Sequence, residues 1–244
     1  MGGCAANCAA MERGDPRRSV IMGFPQGSHR LSAASGAVFV VLGLVALLIL
    51  GTHTPTHDDP PLVFARFYAD KASTIKLSVL LEIFGAGAFV WFAGFLRWTY
   101  GQAEQLARGF QRATPTAFGG AIAGVAIAAV SVIAREGAVV AQGSVDPGVV
   151  RALDLMGAYS ITAAAVVLSA FLLASFFLIR VTQVLPQWLG YLAMVGTALG
   201  AVQAVLLVAP QDDAGVLGAL GYAWFGVFAI WTLGASLTLV RRVT

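Results

Sequence analysis

The sequence predicts an all-α membrane protein, a bundle of six transmembrane helices. Three observations lead to this fold class. Of the 244 residues, 58% are hydrophobic and 11% are charged, against about 25% charged in ordinary globular domains. The apolar residues form long continuous runs, and these runs lack the alternation of polar and apolar residues that a membrane β-barrel requires. A soluble domain of this composition would be short of polar surface, so the chain is predicted to cross a lipid bilayer.

Six apolar runs are long enough to be membrane spans, since a helix needs about 20 apolar residues to cross the hydrocarbon. They cover residues 31–52, 77–98, 117–140, 155–179, 188–209 and 216–240. Short connectors join them, which favours a single six-helix domain over residues 31–242. Residues 1–30 contain no apolar core of signal-peptide length, and we predict that they form a disordered cytoplasmic tail.

The distribution of basic residues predicts the orientation of the chain. Ten of the 15 lysine and arginine residues flank the side that holds both termini, the second connector and the fourth connector. Both termini are therefore predicted to be cytoplasmic. The basic residues lie at span ends and form no single patch, so the pI of about 9.1 does not indicate nucleic-acid binding. The composition, rich in Arg, Ala, Gly and Val, suggests a bacterial protein and hence the cytoplasmic membrane.

A few ionisable residues fall within the apolar runs. A carboxylate near the centre of a bilayer costs about 2.5 to 3.5 kcal/mol on insertion scales, so Glu82 needs a partner. Arg135, Asp154 and Tyr159 are predicted at a similar depth on neighbouring spans. We predict a polar cluster in the outer third of the bundle, built on a pair between Glu82 and Arg135, with these four residues as candidates for ligand binding or ion coupling.

Two other interpretations of Glu82 remain open from the sequence. The pair with Arg135 can serve packing alone, because buried ion pairs also fix helix arrangement. A protonated Glu82 can instead form a hydrogen bond with Ser78, one helical turn earlier.

The first connector contains weak metal-ligand candidates, His53, His57 and Asp58. Nitrogen and oxygen ligands of this kind suit several metals, but Pro55 breaks any helix that would align the two histidines. The following residues, 62–71, place Phe64, Phe67 and Tyr68 beside Arg66 and Lys71 and predict a short amphipathic helix at the outer interface.

Small residues at a spacing of four mark two spans for close helix packing. These are Gly120 and Gly124 in the third span, and Gly196 and Gly200 in the fifth. The sequence leaves open whether they pack within one chain, in a homo-oligomer or against another membrane protein.

Catalytic and cofactor signatures are missing from the sequence. It contains no H-E-x-x-H, G-x-S-x-G, P-loop or C-x-x-C motif, and its three histidines lie outside the predicted spans, so a haem held between helices is not expected. We expect no cofactor and no enzymatic activity. The sequence favours a non-enzymatic accessory or partner-binding bundle, and the alternative is a small transporter or ligand-binding protein that uses Glu82 for proton or cation coupling.

One resemblance to a known family rests on three short motifs. They are the Pro-x-Trp-Leu of residues 186–189 before a glycine-rich span, the Leu-Leu-Glu of residues 80–82, and the final aromatic-rich span that ends in Arg241 and Arg242. In these motifs and their order the chain resembles an uncharacterised bacterial family of six-span membrane proteins, the domain of unknown function 4386 type. The resemblance implies a six-helix fold and no particular activity.

Overall fold

A computed structural model describes residues 26–50, 54–56, 58–106, 113–208 and 214–243. Within these ranges the chain is helical and has no strand, as predicted. The helices are α1 Gln26–Leu50, α2 Pro61–Asp70, α3 Ala72–Leu106, α4 Ala113–Ala141, α5 Pro147–Thr182, α6 Gln187–Val208 and α7 Ala214–Val243. All except α2 are long and apolar enough to cross a membrane, and the protein is a polytopic membrane bundle.

The six long helices form a closed ring. Starting from α1, each packs on the next in the order α1, α3, α4, α5, α6, α7, and α7 packs back on α1. The seam between α1 and α7 is fastened by Ser236, whose hydroxyl donates to the carbonyl of Ala33 at 2.5 Å. Helix α5 also touches α3 and α7 across the ring, so it is the most central of the long helices.

Several helices extend beyond the predicted spans. Helix α3 has 35 residues and α5 has 36, which at 1.5 Å per residue exceeds a hydrocarbon layer of about 30 Å. Hydropathy detects only the apolar middle of such helices. The start of α5 is fixed by local chemistry instead, because the Asp146 carboxylate accepts a hydrogen bond from the Gly148 N–H at 2.7 Å and Pro147 occupies the first helical position.

The predicted N-terminal tail and the structure overlap at only a few positions. Helix α1 begins at Gln26, five residues before the predicted span, so residues 26–30 are helical. Residues 1–25 lie outside the described residues.

Aromatic side chains fill the centre of the helix bundle. Phe89 of α3 lies 5.4 Å from Phe228 of α7, and Phe171 of α5 lies 5.1 Å from Trp231 of α7, measured between ring centroids. Trp231 is completely buried. Edge-to-face pairs of this kind add to the packing energy of the interior, and they leave the centre of the described bundle occupied by side chains.

A second, smaller core lies at one end of the bundle, which we call the α2 end. There α2 packs on α5, α3 and α4, and its Phe64 and Tyr68 are buried against Ile75, Ala138 and Val150. The predicted amphipathic helix is therefore present, and its aromatic face is buried in protein. The turn 142–146 between α4 and α5 lies at the same end, while residues 183–186 between α5 and α6 lie at the opposite end.

Candidate functional site

The candidate site is a polar cluster beneath α2. Helix α3 runs away from the α2 end and carries Glu82, and α4 returns toward that end and carries Arg135. Because α3 and α4 pack side by side, the two side chains meet although they are 53 positions apart in sequence. The predicted contact between Glu82 and Arg135 is confirmed.

Arg135 holds Glu82 with both arms of its guanidinium. Its Nη1 donates to Oε1 at 2.9 Å and its Nη2 donates to Oε2. The arginine and glutamate side chains are 18% and 25% exposed. This two-point arrangement is the strongest geometry available to an arginine and a carboxylate, and with most of both side chains shielded it satisfies charges that would be costly alone.

Ser78 supplies a third hydrogen bond to the same carboxylate. Its hydroxyl, fully buried, lies 3.1 Å from Oε1 of Glu82 and 3.4 Å from the carbonyl oxygen of Ala46 on α1. The contact between Ser78 and Glu82 that the sequence suggested as an alternative is thus present alongside the ion pair. The Glu82 carboxylate is therefore bonded to one side chain of its own helix, α3, and to one side chain of α4. The site lies close to α1.

Asp154 belongs to the same region but has a different partner. The hydroxyl of Tyr68 on α2 donates to Oδ1 of Asp154 on α5 at 2.6 Å. Tyr68 is 1% exposed. Burial, reinforced by the neighbouring Asp154 carboxylate, raises the pKa of Tyr68 above its ordinary value, so the phenol remains a hydrogen-bond donor at neutral pH.

Arg135 links the two hydrogen-bonded pairs electrostatically. Its positive charge acts on both Tyr68 and Asp154 while its guanidinium is bonded to Glu82. Arg135 is therefore bonded to Glu82 of α3 and lies near enough to Tyr68 of α2 and Asp154 of α5 for its charge to act on them. The polar cluster, defined as Tyr68, Ser78, Glu82, Arg135 and Asp154, joins four helices at the α2 end.

Tyr159, predicted as a member of this cluster, has no hydrogen bond to it in the part of the chain that the structure describes. It is half-buried on α5. The tyrosine that is hydrogen-bonded in the cluster is Tyr68, where the sequence predicted Tyr159. The sequence signal for Tyr68 was its spacing of four from Phe64, which puts both aromatic rings on one face of α2, but the sequence did not indicate that this face is turned toward the bundle.

The structure describes one of the three weak metal-ligand candidates, Asp58. His53 and His57 lie outside the described residues, and Asp58 is exposed. The neighbouring Asp59 accepts hydrogen bonds from Thr56, from its N–H at 2.6 Å and its hydroxyl at 2.9 Å, and these hydrogen bonds lower the pKa of Asp59. Among the described residues, no group of three or more metal-binding side chains occurs.

The four predicted packing glycines all face the central helix α5. A Cβ on Gly120 would lie 2.9 Å from the backbone nitrogen of Phe171, and one on Gly124 would meet the side chain of Leu168. On the other side of α5, a Cβ on Gly196 would meet Leu172 and one on Gly200 would meet Ser169. The glycines therefore let α4 and α6 approach α5 closely within one chain.

The cluster gives way to apolar side chains further along α3. The next buried residues of that helix after Glu82 are Gly85, Phe89, Phe92 and Ala93, and Phe89 belongs to the aromatic centre of the bundle. The polar groups at the α2 end thus hold helices together, and the buried positions that follow them along α3 are apolar.

The chain was compared with family models, curated proteins and solved structures, and nothing matches.

Proposed function

We propose that the protein is a non-enzymatic accessory membrane protein whose polar cluster fixes the arrangement of its helices. The observation that carries the proposal is the saturation of Glu82, both of whose oxygens are bound by Arg135 while Ser78 lies against one of them. A carboxylate held in this way has little capacity left for a passing ion. Its removal would instead leave the guanidinium without its counter-charge.

The lateral surface supports a role in binding another membrane protein or a second copy of the chain. Gly119 on α4 and Gly226 on α7 have nothing within 4 Å of the position a Cβ would take. Open small-residue positions allow a further helix to approach closely in the bilayer. We place this binding in the plane of a bacterial cytoplasmic membrane, with both termini in the cytoplasm, on the strength of the composition and of the distribution of Arg and Lys. The resemblance to the domain of unknown function 4386 type stays a prediction.

The alternative function, proton or cation coupling by Glu82, is favoured by one feature, the proximity of a second acid, Asp154, to the arginine that binds Glu82. Two acids around one arginine can in principle alternate as its partner. The aromatic centre beyond Glu82 argues against a path for the ion across the bundle, and we therefore rank this function second.

A flux measurement separates the two functions. The full chain is reconstituted in vesicles that contain a pH-sensitive or a potassium-sensitive dye, and proton and potassium flux are followed for the parent and for Glu82→Gln. We expect the flux in vesicles with the parent and in vesicles with Glu82→Gln to equal the flux in protein-free vesicles. Flux in the parent that disappears in a folded Glu82→Gln variant would establish coupling and overturn the accessory function.

A further inference from the structure

Helix α3 carries an open groove at the end of the bundle opposite α2. Its lining residues follow the helical spacing i, i+3, i+4, i+7, i+8 and i+11, and therefore lie along one side of the helix: Gly94, Arg97, Trp98, Gly101, Gln102 and Gln105. The groove has a volume of about 280 Å³. It belongs neither to the polar cluster nor to the glycine contacts with α5.

Contacts with the neighbouring helices α1 and α4 hold two of the lining side chains, Trp98 and Arg97, in place. The ring of Trp98 packs on His29 of α1 with centroids 5.1 Å apart. The guanidinium of Arg97 lies over the ring of Phe118 of α4, 4.8 Å from its centroid. This contact holds the arginine in place by a cation–π interaction and leaves the residue exposed.

Glycine keeps the floor of the groove open. A Cβ on Gly94 would meet nothing within 4 Å, and one on Gly101 would only just touch Thr114, at 4.0 Å. Larger side chains at these positions would occupy the groove. The nearest acidic side chain along α3, Glu104, is buried and accepts the N–H of Ala113 at 3.2 Å, so its carboxylate is engaged at the start of α4.

The order of these residues along α3 matches the order of groups in a phospholipid. Gly94 lies on the bilayer side, Arg97 and Trp98 follow at the end of the predicted span, and Gln102 and Gln105 lie further toward water. Tryptophan and arginine are typical of the headgroup level, and an arginine guanidinium pairs with a phosphate through two parallel hydrogen bonds. The exposed Arg242 at the same end adds to the positive charge of this end of the bundle, and positive charge attracts acidic lipids.

We propose that this groove binds one anionic phospholipid. Its phosphodiester contacts Arg97, its polar headgroup contacts the amides of Gln102 and Gln105, and one acyl chain runs past Gly94 beside α3. The proposal is independent of the accessory function and of which face of the membrane the groove occupies.

Native mass spectrometry of the detergent-solubilised full chain tests the site. The protein is stripped of lipid and titrated with phosphatidylglycerol or phosphatidylcholine of the same acyl chains. We expect the first bound phosphatidylglycerol to be preferred by about tenfold, and we expect Arg97→Gln to abolish this preference. Gly94→Leu should do the same without changing any charge, because the new side chain fills the groove. Equal binding of the two lipids to the parent would overturn the proposal.

Two matched variants control for unspecific effects. Arg180→Gln removes an exposed arginine at the same end of the bundle, and Gly87→Leu adds the same side chain two turns deeper on α3, where a Cβ also meets nothing within 4 Å. Both should keep the preference. Its loss in Arg180→Gln as well would show a general charge effect and overturn the site.

Two further measurements identify the ligand and test whether the variants are folded. Inorganic phosphate that displaces phosphatidylglycerol at equal concentration would indicate a free-anion site and overturn the lipid proposal, whereas failure to displace it supports the lipid. Unfolding midpoints are measured for every variant. If Arg97→Gln is misfolded, Gly94→Leu decides the question.

Discussion

At the scale of the residue, Glu82 and Arg135 illustrate how two costly groups become compatible with a membrane. Each would be expensive in the bilayer alone, and their two-point contact removes most of that cost. The cost returns when one partner is taken away, because the other stays buried without its counter-charge. The contribution of the contact to stability is therefore measured by comparing the loss of one partner with the loss of both.

A double-mutant cycle tests this coupling. We expect Glu82→Gln and Arg135→Gln to destabilise the folded protein by about 3 kcal/mol each, and the double variant to cost less than their sum by about 1 to 3 kcal/mol. The measurement is denaturant unfolding in mixed micelles. Glu136→Gln removes the adjacent carboxylate on α4 and serves as the control. Strictly additive effects of the two variants would show that the pair contributes no coupling.

Tyr68 offers a second test at this scale, since its hydroxyl is the only difference from phenylalanine. Tyr68→Phe leaves the Oδ1 of Asp154 without its 2.6 Å donor, and we expect a loss of about 1.5 to 3 kcal/mol. Hydrogen exchange of the α2 amides should accelerate in parallel. Tyr159→Phe is the matched control and should change stability by less than about 0.5 kcal/mol. A larger effect of Tyr159→Phe than of Tyr68→Phe would contradict the observed partner of Asp154.

At the scale of the element, close packing against α5 depends on glycine where the opposing atom belongs to the backbone. We expect Gly120→Ala to destabilise the protein by about 1 to 3 kcal/mol, because the nearest atom, the backbone nitrogen of Phe171 at 2.9 Å, cannot rotate away. Gly119→Ala, one position earlier and open, should be neutral or stabilising by up to about 1 kcal/mol. Thermal unfolding of both variants checks this, and equal effects would mean that α4 and α5 are not in close contact.

The helices can be predicted from the sequence more readily than the contacts between them. Six apolar runs set the spans because their length and composition are local properties, and the depth of Glu82 and Arg135 could be counted from the span ends. The contact of Tyr68 with Asp154, 86 positions apart, depends on how α2 folds back onto the bundle. The hydropathy pattern does not determine how α2 is oriented on the bundle. In the same way, the spacing of Gly120 and Gly124 marked a packing face, but only the ring of helices shows that the face meets α5.

At the scale of the whole molecule, the bundle has an even number of long apolar helices, so the start of α1 and the end of α7 lie at the same end of the bundle. The bias of Arg and Lys toward the chain termini and toward the flanks of the connectors 107–112 and 183–186 predicts that this end of the bundle faces the cytoplasm. The polar cluster and α2 would then lie toward the outer leaflet, and the groove on α3 toward the inner leaflet, where the headgroups that face the cytoplasm are found.

Accessibility of single cysteines in intact cells tests this orientation. Cys4 and Cys8 are first replaced by serine to give a cysteine-free parent. Ser144→Cys then places a thiol in the exposed turn between α4 and α5, and Gln183→Cys places one in the turn between α5 and α6. We expect a membrane-impermeant maleimide to label residue 144 from outside and residue 183 only after lysis. The reverse pattern would invert the bundle, and labelling of both positions from outside would mean that α5 does not cross the membrane.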